Sequence, residues 1–181
     1  MTTKVTERIA SIDWTKSHCG IMLSTLDQAR DLMPELNPII DSIIPHLQYN
    51  QHEYLIDCKV HMLMPGEYPC IPNWHCDFVP RDQDNRPQRS EIRDTDMMYI
   101  WVSGPPYTEF KTHHGKIETD EITWTRFNQR DVHRGTISEI HTWRSFVRLI
   151  PRWFRHTSTF NTGQVRRHSQ VYIENPDKFT W

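Results

Sequence analysis

The sequence has little of what would mark several common classes of protein. Its net charge is −2, so the chain as a whole lacks the basic footprint of a nucleic-acid binder. Its four cysteines, Cys19, Cys58, Cys70 and Cys76, form no CxxC pair and join no histidines at zinc-finger spacing, which argues against a structural zinc. No stretch approaches the length of a membrane span, and the opening MTTKVTERIASIDW lacks the apolar segment of a secretory leader. The expected compartment is the cytoplasm, with reduced thiols. Internal repeats and low-complexity tracts are absent.

Large rings are what the chain has instead: 7 Trp, 6 Tyr and 7 Phe, which exclude a disordered reading and suggest a ring-built core or pocket. At 181 residues the chain fits one domain. Residues 1–52 read as a helical N-terminal part, 53–151 as a β core and 152–181 as a C-terminal extension. The first helix is expected after the capping oxygens of Ser24, Thr25 and Asp27, with Leu26, Ala29, Leu32 and Met33 on one face, interrupted by Pro34 and Pro38. Ile39, Ile40, Ile43, Ile44 and Leu47 mark a second amphipathic helix. Short β-like runs closed by turn residues follow at 54–64, 74–79, 97–103, 109–112, 121–127, 145–150 and 170–173. They argue for an α+β fold in which helices pack outside a β-sandwich, barrel or jelly roll. Residues 81–95 are charged and non-periodic and read as an exposed loop.

Charge is unevenly placed. Residues 126–167 hold nine Arg against Asp131 and Glu139, a local net of +7. Such a stretch is either a solvated basic surface or a means of attracting an anionic cosubstrate, substrate or partner.

His75 and Asp77 are two residues apart, which on a strand turns both to one face while Cys76 points away. An imidazole and a carboxylate converging in this way offer two ligands to a divalent metal. His133, ahead of a glycine turn, can supply a third, with His141 as the alternative. Two histidines and one carboxylate leave open positions on an octahedral ion, as non-haem iron(II) oxygenases require. Arg144 and Arg148, four residues apart, share a strand face with Phe146. A guanidinium inside a β fold needs an anion, and a dicarboxylate would satisfy it through charge-assisted contacts; the other placement is an outer face beside Glu139. His113-His114 reads as an exposed turn, His61 as a hydrogen-bonded core or groove residue, and Trp74 and Trp101 as core.

These residues together resemble the 2-oxoglutarate/iron(II)-dependent dioxygenase superfamily. The resemblance is carried by the HxD of His75 and Asp77, the His133-Arg134-Gly135 run and an arginine 11 to 15 residues later. Tyr99-Ile100-Trp101-Val102-Ser103, followed by Tyr107-Thr108-Glu109-Phe110, adds to it. These pieces span 54–151. The resemblance implies a double-stranded β-helix with iron(II) on His75, Asp77 and His133. Arg144, or failing that Arg148, would hold the 2-oxoglutarate C5 carboxylate, and Tyr99 is a possible hydrogen-bond donor to the cosubstrate. It implies a hydroxylase. The arginine excess and the many rings are compatible with an anionic or aromatic small molecule, a nucleotide or a peptide side chain as substrate; a small molecule is the expectation, because neither a nucleic-acid groove nor a peptide-binding edge is readable. The other readings are a non-redox, cupin-like binding protein or isomerase, and an interaction protein using its arginine-rich face against an acidic partner or nucleic acid.

Overall fold

A computed structural model describes residues 2–9, 20–84, 86–154 and 164–166, the last for its backbone only. The run expected at 170–173, Cys19 and most of the expected C-terminal extension lie outside the described residues.

Among the described residues the fold is α+β and mainly antiparallel, with two short α-helices. Its centre is a pair of ten-residue strands, β3 (Tyr54–Leu63) and β9 (Thr142–Pro151), paired without a break from Tyr54↔Pro151 to Leu63↔Thr142. β4 (Met98–Ser103) and β7 (Trp124–Phe127) extend one side, with β1 (Thr3–Lys4) beyond them. β2 (Gly20–Ser24) and β10 (Gln164–Arg166) extend the other. The order of this seven-stranded sheet is β1-β7-β4-β9-β3-β2-β10. A three-stranded sheet, ordered β6-β5-β8, combines β5 (Thr108–Thr112), β6 (Gly115–Glu118) and β8 (His133–Gly135). At the β4–β5 connection the chain needs glycine. Gly104 has φ +82°, and a Cβ there would lie 2.1 Å from the Trp143 carbonyl oxygen.

Strand alternation gives the large sheet two different faces. On one, Tyr54, Ile56 and Cys58 of β3, Tyr99 and Trp101 of β4, Trp124 of β7 and Val147 and Leu149 of β9 pack against the helices. These are α1 (Leu26–Leu32) and α2 (Asn37–Ile43), which contribute Leu26, Ala29, Ile39, Ile40 and Ile43. Fully burying such an aliphatic side chain is worth about 1.5–3 kcal/mol. Thr25 caps α1 in a reciprocal box with Gln28. Two expectations change here. Leu32 is 47% exposed rather than part of the apolar face. Pro38 does not interrupt a helix; it sits in the first turn of α2, where a missing N–H costs nothing.

On the other face Leu55, Met98, Ile100, Val102 and Ile150 meet Phe110 and Phe127, so the small sheet covers part of this side. Alternation also places Asp57, Lys59 and His61 of β3 here, opposite Arg148, Phe146 and Arg144 of β9. Segment 74–79 is not the strand its composition suggests. It forms a single β-bridge at His75 and then turns, with Phe78 at φ +54°. Among the described residues no helix is long and apolar enough to cross a membrane.

Candidate metal centre and its arginine pair

β8 is short because its partners run out, yet it places the first residue of the site. His133 pairs with Phe110 of β5 on one side and with His75 on the other. The two histidines exchange both backbone hydrogen bonds, each at 2.9 Å, which leaves their rings side by side with centroids 4.5 Å apart. The turn after His75 then swings Asp77 back towards both. One ligand atom from each of His75, Asp77 and His133 lies within 4.8 Å of the others. The His133 Nε2–Asp77 Oδ2 distance is 3.5 Å and His75 Nε2–Asp77 Oδ1 is 3.8 Å. Donors sharing an ion at about 2.0–2.2 Å stand about 3 Å apart, so small side-chain movements would close this set around a metal.

The tautomers also suit a metal. His75 Nδ1 lies 2.8 Å from the Asn73 carbonyl and His133 Nδ1 lies 2.9 Å from the Asp131 carbonyl. A carbonyl only accepts, so each Nδ1 carries the proton and each Nε2 presents its lone pair to the centre. Burial, reinforced by the neighbouring His133, lowers the His75 pKa and keeps that ring neutral. Burial raises the Asp77 carboxyl, but the Arg148 guanidinium against it outweighs that and holds Asp77 well below the usual carboxylate range. Phe110 and Phe127 lie 5.2 and 5.4 Å from the His133 ring and wall that side against water. His141 is exposed and apart from this group.

Both arginines project onto this inner face, not beside Glu139, but their surroundings differ. Arg148 donates from one terminal nitrogen to Asp77 Oδ2 and from the other to Asp57 Oδ2, each at 2.6 Å. Asp57 also accepts the Leu23 backbone N–H at 2.7 Å. Burial lowers the Arg148 pKa, but the two carboxylates more than reverse that. Arg148 therefore holds a metal-ligand candidate in place, with both of its terminal nitrogens already engaged by carboxylates. Arg144, 1% exposed, donates its Nε to the Pro106 carbonyl at 2.7 Å and reaches Thr108 Oγ1 at 3.5 Å. No described carboxylate lies within 4 Å of it. Burial pulls its pKa down to about 10. The Phe146 ring lies between the two, 5.6 Å from the Arg144 guanidinium and 5.7 Å from that of Arg148.

Tyr99 is a correction. It lies on the helix-facing side of the sheet, where its hydroxyl donates to the His46 carbonyl and accepts from Gln48 N–H, so it cannot reach a cosubstrate at this site. Part of the arginine-rich stretch is neutralised by acids from elsewhere. Arg130 pairs with Asp94 at 2.7 Å and Arg134 with Glu109 at 2.6 Å. Trp101 is core as expected, whereas Trp74 lies partly exposed beneath Arg134. A cavity of about 560 Å³ borders His75 and Asp77, with Trp74, Phe78, Ile92 and Arg89 in its wall.

Sequence reading missed Asp57 and the state of His61, whose two ring nitrogens are buried without a hydrogen-bond partner among the described residues. One signal was available. Asp57, Lys59 and His61 alternate with Ile56, Cys58 and Val60 between Leu55 and Leu63, which places three ionisable groups on one face of a strand with apolar flanks.

No family model and no curated protein matches this sequence. Among solved structures, the non-heme monooxygenase ThoJ in its apo form aligns with a TM-score of 0.36 and 11% identity, over 64% of this chain and 52% of that one. The nickel complex of ThoJ aligns with a TM-score of 0.39 and 8% identity, over 78% of this chain and 61% of that one. The alignments thus span about half to three-fifths of those proteins.

Proposed function

We propose that this chain is an iron(II)- and 2-oxoglutarate-dependent oxygenase, a hydroxylase of a small organic molecule, built on a double-stranded β-helix. The observation that carries the reading is the donor set: two imidazole Nε2 atoms, each freed by a carbonyl on its Nδ1, converging with one carboxylate. This chemistry suits a hard-to-intermediate divalent ion with positions left open. His75, Asp77 and His133 would hold iron(II), and Arg144 would hold the distal carboxylate of 2-oxoglutarate. When bound, the pair supplies dioxygen activation and oxidation of a substrate C–H bond, with the keto acid leaving as succinate and carbon dioxide.

The chain's own residues orient and exclude. The Asn73 and Asp131 carbonyls fix the two rings, Arg148 fixes Asp77, and Phe110 and Phe127 keep water from the back of the site. Trp74 and Phe78 in the cavity wall favour a substrate with an apolar or aromatic body. Arg89 on the same wall favours one that carries negative charge.

Anaerobic addition of iron(II) and 2-oxoglutarate to the wild-type chain is expected to give a visible metal-to-ligand charge-transfer band. Admission of oxygen should then yield succinate even without substrate, and His75→Ala should abolish both signals. A wild-type chain that gives neither the band nor succinate would contradict the reading.

A further inference from the structure

Beyond the metal ligands and the two arginines, His61 is a buried group with no structural explanation among the described residues. His61 is 6% exposed and neither ring nitrogen has a hydrogen-bond partner among the described residues. A buried polar atom left unmade costs on the order of 1–3 kcal/mol, and here one imidazole carries two. Its surroundings are as unusual. His61 is the direct cross-strand neighbour of Arg144, a buried cation with no carboxylate within 4 Å among the described residues. Lys59, two residues back on the same face, is half-buried and likewise has no ion pair among them. Burial, then the nearby Arg148, pulls the Lys59 pKa down. Three donors on one patch, two of them cationic and none within 4 Å of a described carboxylate, form a surface complementary to an anion.

We infer that His61 is a binding residue for the distal carboxylate seated on Arg144, donating an imidazole N–H to one oxygen while the guanidinium holds the other. This rests on the proposed function above and adds a specificity element to it. A carboxylate here would accept from Arg144 and His61 together, and the Lys59 ammonium would add charge to the same patch. A 2-oxo acid without a distal carboxylate would gain nothing from any of them. The Cys70 thiol, kept protonated by burial, adds no competing negative charge.

A histidine retained for core packing and one retained for a ligand predict opposite results when it is replaced. Leucine removes two unmatched polar atoms, and replacing such atoms with apolar ones is close to neutral or stabilising. His61→Leu is therefore expected to unfold no more easily than wild type, while its affinity for 2-oxoglutarate falls about tenfold. The measurement is calorimetric titration of the full chain loaded with nickel(II). 2-Oxoglutarate is compared with pyruvate, which keeps the 2-oxo acid and lacks the distal carboxylate. Pyruvate and nickel(II) affinities should be unchanged in His61→Leu, and His61→Gln, which keeps an N–H donor, should recover most of the lost affinity. If His61→Leu does not fold, [15N]histidine spectra of the wild-type chain give the same answer. One imidazole should shift with 2-oxoglutarate and not with pyruvate, and that signal should be missing in His61→Gln.

The inference is overturned if His61→Leu binds 2-oxoglutarate as wild type does, or loses 2-oxoglutarate and pyruvate equally, or if no imidazole responds to the distal carboxylate. A wild-type chain that takes nickel(II) but no 2-oxoglutarate overturns the proposed cosubstrate itself, and the inference with it.

Discussion

Arg148 bridges Asp57 and Asp77, so its removal leaves two largely buried carboxylates without their shared cation. Breaking a buried pair in this way costs about 3–5 kcal/mol, and the loss of a partner that orients a metal ligand weakens metal binding about 10- to 100-fold. Arg148→Leu should show both effects, in urea denaturation and in cobalt(II) titration; unchanged metal affinity would mean that Asp77 needs no holding. His61 makes a separate claim. Burial, then Arg144 and Lys59, push its pKa down to about 3, whereas in the unfolded chain it protonates near 6.5. Between those values the unfolded state binds more protons, so stability falls as pH falls, by up to about 1.4 kcal/mol per unit. Comparing urea denaturation at pH 6.5 and pH 5, His61→Leu should lose that part of the slope; an unchanged slope would mean that His61 is protonated in the fold. His75, Asp77 and His133 could be singled out in the sequence by a two-residue spacing and a histidine before a glycine, but a turn after His75, not the expected strand alternation, brings Asp77 towards the two rings. The partners of Arg148 could not be singled out, since Asp57 reaches it only through the register of β3 on β9, which no local pattern encodes.

At the scale of elements, β8 carries His133 and is held against the 70–71 segment. A Cβ on Gly135 would lie 2.7 Å from Cys70 Sγ and 3.0 Å from the Cys70 carbonyl oxygen, and Gly135 N–H donates to the Ile71 carbonyl. Gly135→Ala must push β8 outward or distort it, at about 1–3 kcal/mol, and with it move His133. Thermal unfolding should show the loss, and adding Cys70→Ala should recover only part of it, because the backbone contact remains. Full recovery, or no loss at all, would show the packing to be looser than this. The helices and the runs forming β3, β4, β5, β7 and β9 were readable from periodicity and turn residues. Segment 74–79 was misread because Trp, Phe and Val suit a strand, while the left-handed turn at Phe78 sits on a residue that gives no hint of it. β1, β2, β6, β8 and β10 fall outside the expected runs, because segments of two to five residues without a closing turn signal carry too little periodicity to stand out.

Taken whole, the molecule divides its work between the two faces of one sheet. The helix-facing side is a ring-and-isoleucine core, and the opposite side carries Asp57, Lys59, His61, Arg144 and Arg148 together with the three candidate ligands. Ile40→Ala, fully buried under the sheet, should cost about 2–5 kcal/mol yet leave metal affinity within about twofold, because residues this far apart rarely couple. A large loss of metal affinity would show that the faces are not independent. The α+β layout with helices outside the sheet was legible from the order of patterns along the chain. The pairing of β1 with β7, and of β3 with β9 across some eighty residues, was not, because it is settled by which apolar faces bury each other. The most direct test of the whole account is cobalt(II) titration of the wild-type chain and of His75→Ala, Asp77→Ala and His133→Ala. The account predicts one ion per wild-type chain and a loss of about 100-fold or more in each variant. Stoichiometric binding that survives all three changes would contradict it.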